Sequence, residues 1–72
     1  MNIFLKNNTT NDYVEGVILG PDEDNDKLTV IELKNGTTMN GVINFTDYGT
    51  VTFMNIFKYD MWTVLAILPY GN

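Results

Sequence analysis

No stretch of this chain places apolar residues at the three-and-four spacing of an amphipathic helix. Short runs rich in β-branched and aromatic residues alternate instead with clusters of Asn, Asp and Gly. That punctuation is the pattern of strands and turns, and it restricts the fold to an all-β one. Strands are expected over residues 3–6, 13–19, 28–33, 37–45, 50–55, 56–59 and 62–68, with turns over 7–12, 20–26, 35–36 and 47–49. Asn35-Gly36 is the clearest turn, because both residues tolerate the positive φ of a two-residue type I′ hairpin.

Side-chain alternation then assigns faces. Met39, Gly41, Ile43 and Phe45 share one face of their strand, while Thr38, Asn40 and Asn44 share the other with Val42. Such a strand is half-buried, and a glycine on its apolar face predicts a sharp bend. Val64-Leu65-Ala66-Ile67-Leu68 is apolar on both faces, so this last strand should be covered twice. Either a second subunit or the chain's own N-terminal hairpin would serve as the second cover.

The 72 residues suffice for a single domain, read as an N-terminal hairpin and acidic loop (1–26) followed by a core (27–69). A chain this short buries only about 60% of the surface exposed on unfolding. Small domains of this kind usually add disulfides, a metal or partner subunits. Cys and His are absent, which removes disulfides and the common metal ligands, so no cofactor or metal is expected and oligomerisation is.

The same absences, with that of Ser, leave no ordinary activated nucleophile or imidazole base, so an enzyme is the least supported class. Carboxylate pairs such as Glu32 with Asp60 have no spacing that singles them out. Asp22-Glu23-Asp24-Asn25-Asp26 resembles the start of a calcium loop, but Lys27 stands where that loop needs Gly and Leu33 where it needs Glu. A solvated acidic turn is the reading. Residues 1–6 lack the basic start and long apolar stretch of a secretory signal. The run 64–68 is far short of the ~20 residues that span a bilayer, so a cytoplasmic protein is expected. The surplus of Asn, Thr, Ile and Tyr, with no Arg, Ser or Gln, is the bias of an AT-rich coding genome, as phages often have. For a phage protein the compartment would be the host cytoplasm. The net charge of −5 and sequence pI of about 4.1 weigh against nucleic acid as a partner, because phosphate contacts come mostly from Lys and Arg. Only Lys6, Lys27, Lys34 and Lys58 supply them.

Leu33-Lys34-Asn35-Gly36-Thr37-Thr38-Met39-Asn40-Gly41-Val42-Ile43-Asn44-Phe45-Thr46-Asp47 resembles the first signature of Sm and Sm-like proteins. That signature is an apolar residue, Asn-Gly, an apolar residue, then a second Gly followed six residues later by Asp. Trp62-Thr63-Val64-Leu65-Ala66-Ile67-Leu68-Pro69 looks like the closing strand and trailing proline of the same family. The resemblance runs from about residue 28 to 69. A second registration, with Val14 to Asp22 as the first signature and Met39-Asn40-Gly41 as the second, is the alternative.

The resemblance implies a small, strongly bent, five-stranded open barrel, here with an N-terminal β-hairpin in place of the family's helix. It also implies a homo-oligomeric ring of five to seven subunits that binds single-stranded RNA weakly at its pore. The residues it nominates for RNA are Asp47, Tyr48, Thr50 and Trp62, with Lys34 and Lys58 for phosphates. Tyr48 would stand at the base-stacking position and Thr50 where the family has Asn, while Met61-Trp62 replaces the family's basic pair. Tyr59 and Tyr70 are read first as packing for the barrel ends or the subunit interface. The loss of the basic pair supports a rival expectation, a protein-interaction or scaffold ring that does not bind RNA.

Overall fold

A computed structural model describes residues 1–69. Its six strands are β1 (Asn2–Asn7), β2 (Tyr13–Pro21), β3 (Thr29–Leu33), β4 (Thr38–Phe45), β5 (Val51–Asn55) and β6 (Asp60–Leu68). Each pairs antiparallel with the next, and β6 returns to pair with β1, so the sheet closes into a barrel. The all-β expectation holds. The five-stranded open barrel is corrected to six strands and a closed one. The N-terminal hairpin supplies the difference: β1 pairs with β6 from Asn2–Leu68 to Asn7–Trp62, and β2 pairs with β3, so the hairpin is two staves of the wall. Among the described residues no helix is long and apolar enough to cross a membrane, and Tyr70 lies outside the described residues.

Inward-pointing residues from every strand make the core. Ile3 and Leu5 of β1, Ile31 and Leu33 of β3, Met39 of β4, Phe53 of β5 and Trp62 of β6 are buried. Val14, Ile18, Ile43, Val64 and Ile67 pack against them. Fully burying one such side chain stabilises by roughly 1.5–3 kcal/mol, so the alternation read from sequence carries most of the driving force. Phe45 shares the inward parity of Met39 and Ile43, yet it is 77% exposed. It sits at the last position of β4, past the end of the core.

At Gly41 the structure shows a close approach of β4 to β5. A Cβ there would overlap the Met54 carbonyl of β5 and lie 2.7 Å from Cζ of the fully buried Phe53. The two strands therefore cross closer at this point than any side chain allows. The Asn35-Gly36 turn differs from expectation. Only Gly36 takes positive φ, at 93°. The loop is longer than two residues, closed by Gly36 N–H to Leu33 O (2.9 Å) and Leu33 N–H to Thr37 O (2.7 Å), while Asn35 Oδ1 accepts from Thr37 N–H at 2.9 Å.

Parity fails along β6, and a bulge is the reason. Leu5 pairs with Val64 but Phe4 pairs with Ala66, which leaves Leu65 as an extra residue. Val64 and Ile67 consequently both face the core, although strict alternation would put them on opposite faces. Leu65 and Leu68 are each about half exposed on the outside. Among the described residues of one chain, the double covering expected for this strand is thus absent.

Candidate nucleic-acid interface

An antiparallel meander sends its turns alternately to two ends. The β1–β2, β3–β4 and β5–β6 turns (8–12, 34–37 and 56–59) cap one end; the β2–β3 loop (22–28) and the β4–β5 turn (46–50) cap the other, beside the N-terminus. The two ends have different chemistry. Asp22, Glu23, Asp24, Asp26 and Asp47 stand at the second end with Lys27 as its lysine, so most of the net charge of −5 is gathered there. The first end carries Lys6, Lys34 and Lys58 and three exposed aromatic residues, Tyr13, Phe57 and Tyr59. Asp12, Glu15, Glu32 and Asp60 lie at this end too, which leaves it with a net charge of about −1.

The β5–β6 turn is the most sharply defined part of the first end. Residues 56–59 were expected as a strand, and they form a turn. The cause is Asn55, a polar side chain only 4% exposed. Its Oδ1 accepts from Phe57 N–H at 3.0 Å, and its backbone carbonyl accepts from Tyr59 N–H at 2.8 Å. Ile56 N–H is taken by Asn40 O of β4 at 3.0 Å. With these three bonds the chain is tied into a tight loop before β6 begins. Tyr59 also stands at positive φ, 54°, a region that bulky residues rarely adopt. Phe57 and Tyr59 project into solvent, 71% and 82% exposed, on either side of exposed Lys58. Tyr59 is therefore not packing for the barrel end.

The β1–β2 turn is tied to the start of β6, and the β3–β4 turn to β2. Asn8 N–H donates to Met61 O at 3.1 Å and Thr63 Oγ1 to Asn8 Oδ1 at 2.7 Å, which joins the β1–β2 turn to the start of β6. Lys34 N–H donates to Glu15 O, and its Nζ pairs with Glu15 Oε2 at 3.2 Å. That pair is largely exposed and worth at most about 1 kcal/mol. Lys6 and Lys58 have no ion-pair partner among the described residues.

The six residues nominated from sequence are not brought together. Asp47, Tyr48 and Thr50 lie in the β4–β5 turn at the acidic end, with Tyr48 93% exposed. Thr50 is engaged locally, its hydroxyl 2.6 Å from that of Thr46. Lys34 and Lys58 lie at the opposite end. Trp62 is only 6% exposed, a core side chain paired across the ladder with Phe53, so a base cannot stack on it in this fold. Among the described residues its Nε1 has no hydrogen-bond partner, nor has the buried Oδ1 of Asp60. Tyr13, Phe57 and Lys6 were not nominated. Phe57-Lys58-Tyr59 between Asn55 and Asp60 was the available signal, but the β preference of Ile, Phe and Tyr masked it.

At the acidic end the strand pairs separate. Pairing of β5 with β6 stops at Val51–Val64, so Leu65–Leu68 keeps β1 on one side and, among the described residues, no strand on the other. An apolar groove of about 440 Å³ opens there, lined by Thr50, Val51 and Val64 to Ile67. The β3–β4 ladder likewise ends at Thr29–Gly41, which leaves Val42 to Phe45 paired with β5 alone.

The sequence matches no protein-family model, no curated protein and no solved structure.

Proposed function

We propose that this protein binds single-stranded nucleic acid, with RNA the expected form, at the barrel end formed by the β1–β2, β3–β4 and β5–β6 turns. The observation that carries the reading is that exposed Tyr13, Phe57 and Tyr59 and the lysines Lys6, Lys34 and Lys58 all lie at that end of the barrel. Bases stack on exposed rings whatever their identity, and lysines meet the phosphates between them. The acidity of the whole chain counts less against this site than the composition suggests, because most of it is held at the far end. Binding is weak and driven mainly by stacking. Anisotropy of a labelled oligonucleotide, rU and dT in parallel, tests it. With at most three lysines contributing, the slope of log K against log salt should be about −2. No binding at low salt by the folded protein refutes the reading.

A second reading concerns assembly and follows from a separate observation. Leu65–Leu68 and Val42–Phe45 each leave one backbone edge unpaired beside exposed apolar side chains, and unpaired edges invite further pairing. Joining one such edge to the other in a second copy is a head-to-tail contact, which closes into a ring or runs on. The Sm-like ring expected from sequence, with or without RNA, belongs to this reading. Light scattering at micromolar concentration decides it: a species of several subunits is expected, and an 8.2 kDa monomer refutes it.

A further inference from the structure

We infer that the turn at residues 56–59 is a preformed stacking tip that takes one dinucleotide step of a single strand, one base on Phe57, the next on Tyr59, and the linking phosphate on Lys58. The inference rests on the nucleic-acid reading above and names which residues of that end do the binding. The order aromatic–Lys–aromatic along the turn matches the order base–phosphate–base along a strand. All three side chains are exposed, and the backbone beneath them is fixed by bonds from Asn55 and Asn40. A fixed backbone lowers the ordering cost of binding.

The second line of support is the conformation of Tyr59. Its N–H closes a single α-turn onto Asn55 O, and its own φ of 54° is the left-handed conformation that ends such turns. Glycine is the residue usually found there, since it meets no Cβ penalty. A bulky aromatic residue holds the position at a cost to folding, and its side chain contributes little to packing because it is largely in solvent. A strained residue with no structural return is the mark of a site maintained for something outside the chain. Asn55 is then a positioning residue, acting on the ligand only through Phe57 and Tyr59.

Two measurements on each variant test the assignment: affinity for a labelled rU oligomer, and the midpoint of thermal unfolding. Tyr59→Gly is expected to unfold at the same temperature or higher while affinity falls about tenfold, the loss of one stacked base. Phe57→Ala should lose a similar factor. An oligomer with abasic sites at the bound step should bind the native protein no better than the intact oligomer binds the double variant. Tyr48→Ala, at the other end, should leave affinity unchanged. Should the native protein bind while Phe57→Ala and Tyr59→Gly bind equally well, the tip assignment is overturned and the broader reading stands. If Tyr59→Gly lowers the unfolding midpoint along with affinity, Tyr59 is a structural turn residue and the tip is again overturned. Absence of binding by the native protein overturns both.

Discussion

Replacing Gly41 with alanine should destabilise the barrel more than any other single methyl added to it. The new Cβ would overlap the Met54 carbonyl, stand 2.7 Å from Phe53 Cζ and 2.8 Å from the Met54 carbonyl carbon. None of these atoms can yield cheaply. Phe53 is completely buried among core residues, and Met54 belongs to the β4–β5 ladder, where it pairs with Val42. Relief requires β5 to lift away from β4, opening the core beside Ile43 and Trp62. Overpacking of this kind typically costs about 1–3 kcal/mol, sometimes more. The reduced freedom of the unfolded chain returns about 0.4–1 kcal/mol. A contact against backbone puts the overpacking at the top of that range and the net at about 2.5 kcal/mol. For a domain of this size 1 kcal/mol moves the unfolding midpoint by about 4–8 °C, so a fall of about 10–20 °C is expected. Urea unfolding followed by the emission of Trp62, the single tryptophan, supplies the free energy. Gly16→Ala is the internal comparison. Its Cβ would meet Glu32 O at 2.7 Å and two side-chain atoms at 3.2 Å, a milder clash that should cost less. A loss under about 0.5 kcal/mol for Gly41→Ala, or the reverse order of the two variants, would refute the close crossing of β4 and β5 and the barrel geometry built on it.

Asn55→Ala leaves Phe57 N–H without its acceptor in a part-buried turn, so stability should fall by about 1–3 kcal/mol, measured by the same urea titration. Trp62→Ala empties a core position at a cost of about 3–5 kcal/mol, enough that circular dichroism should report a largely unfolded chain at 25 °C. In the native protein, Trp62 emission should be blue-shifted and shielded from acrylamide, and added RNA should not quench it; quenching would mean that the indole reaches the surface. Lys34→Ala removes an exposed ion pair and should change stability by less than about 1 kcal/mol. Leu65→Lys, on the outer wall, should leave the unfolding midpoint within a few degrees while light scattering shifts towards monomer.

The wall of this barrel was largely legible in its sequence, and the reasons are local. Alternating apolar residues fix the inward faces of β1, β3, β4 and β5, and Gly41 announces the crossing that Phe53 later explains. What could not be read is what depends on partners far away in the chain. Nothing near Asn2 or Leu68 says that β1 and β6 pair, so five strands and an open edge were the natural expectation. The strand expected over 56–59 failed for another reason. Ile56, Phe57 and Tyr59 favour strands by type, but one buried amide at Asn55 decides the backbone there, and burial of a single polar side chain has no periodic signature. The candidate site followed the same division. Lys34 and Lys58 were named singly, while their company with Tyr13 and Phe57 arises only when three turns far apart in sequence reach one end.

Closure also changes the argument for assembly. An open barrel would expose whole strand edges, and association would follow from the fold itself. In the closed barrel every strand has two neighbours, and association must use what closure leaves over. The bulge at Leu65 makes part of that remainder: by carrying one extra residue, β6 brings Ile67 into the core beside Val64 and turns Leu68 outward with Leu65. The strand then continues past its last β5 partner with an apolar outer side and a free backbone edge. Bulges commonly mark places where pairing ends or a side chain is re-aimed, and here both happen within four residues. The self-association proposed from these edges would use the acidic end, away from the Phe57-Lys58-Tyr59 tip. The two proposals consequently place different demands on opposite ends of the molecule, and neither needs the other to be true.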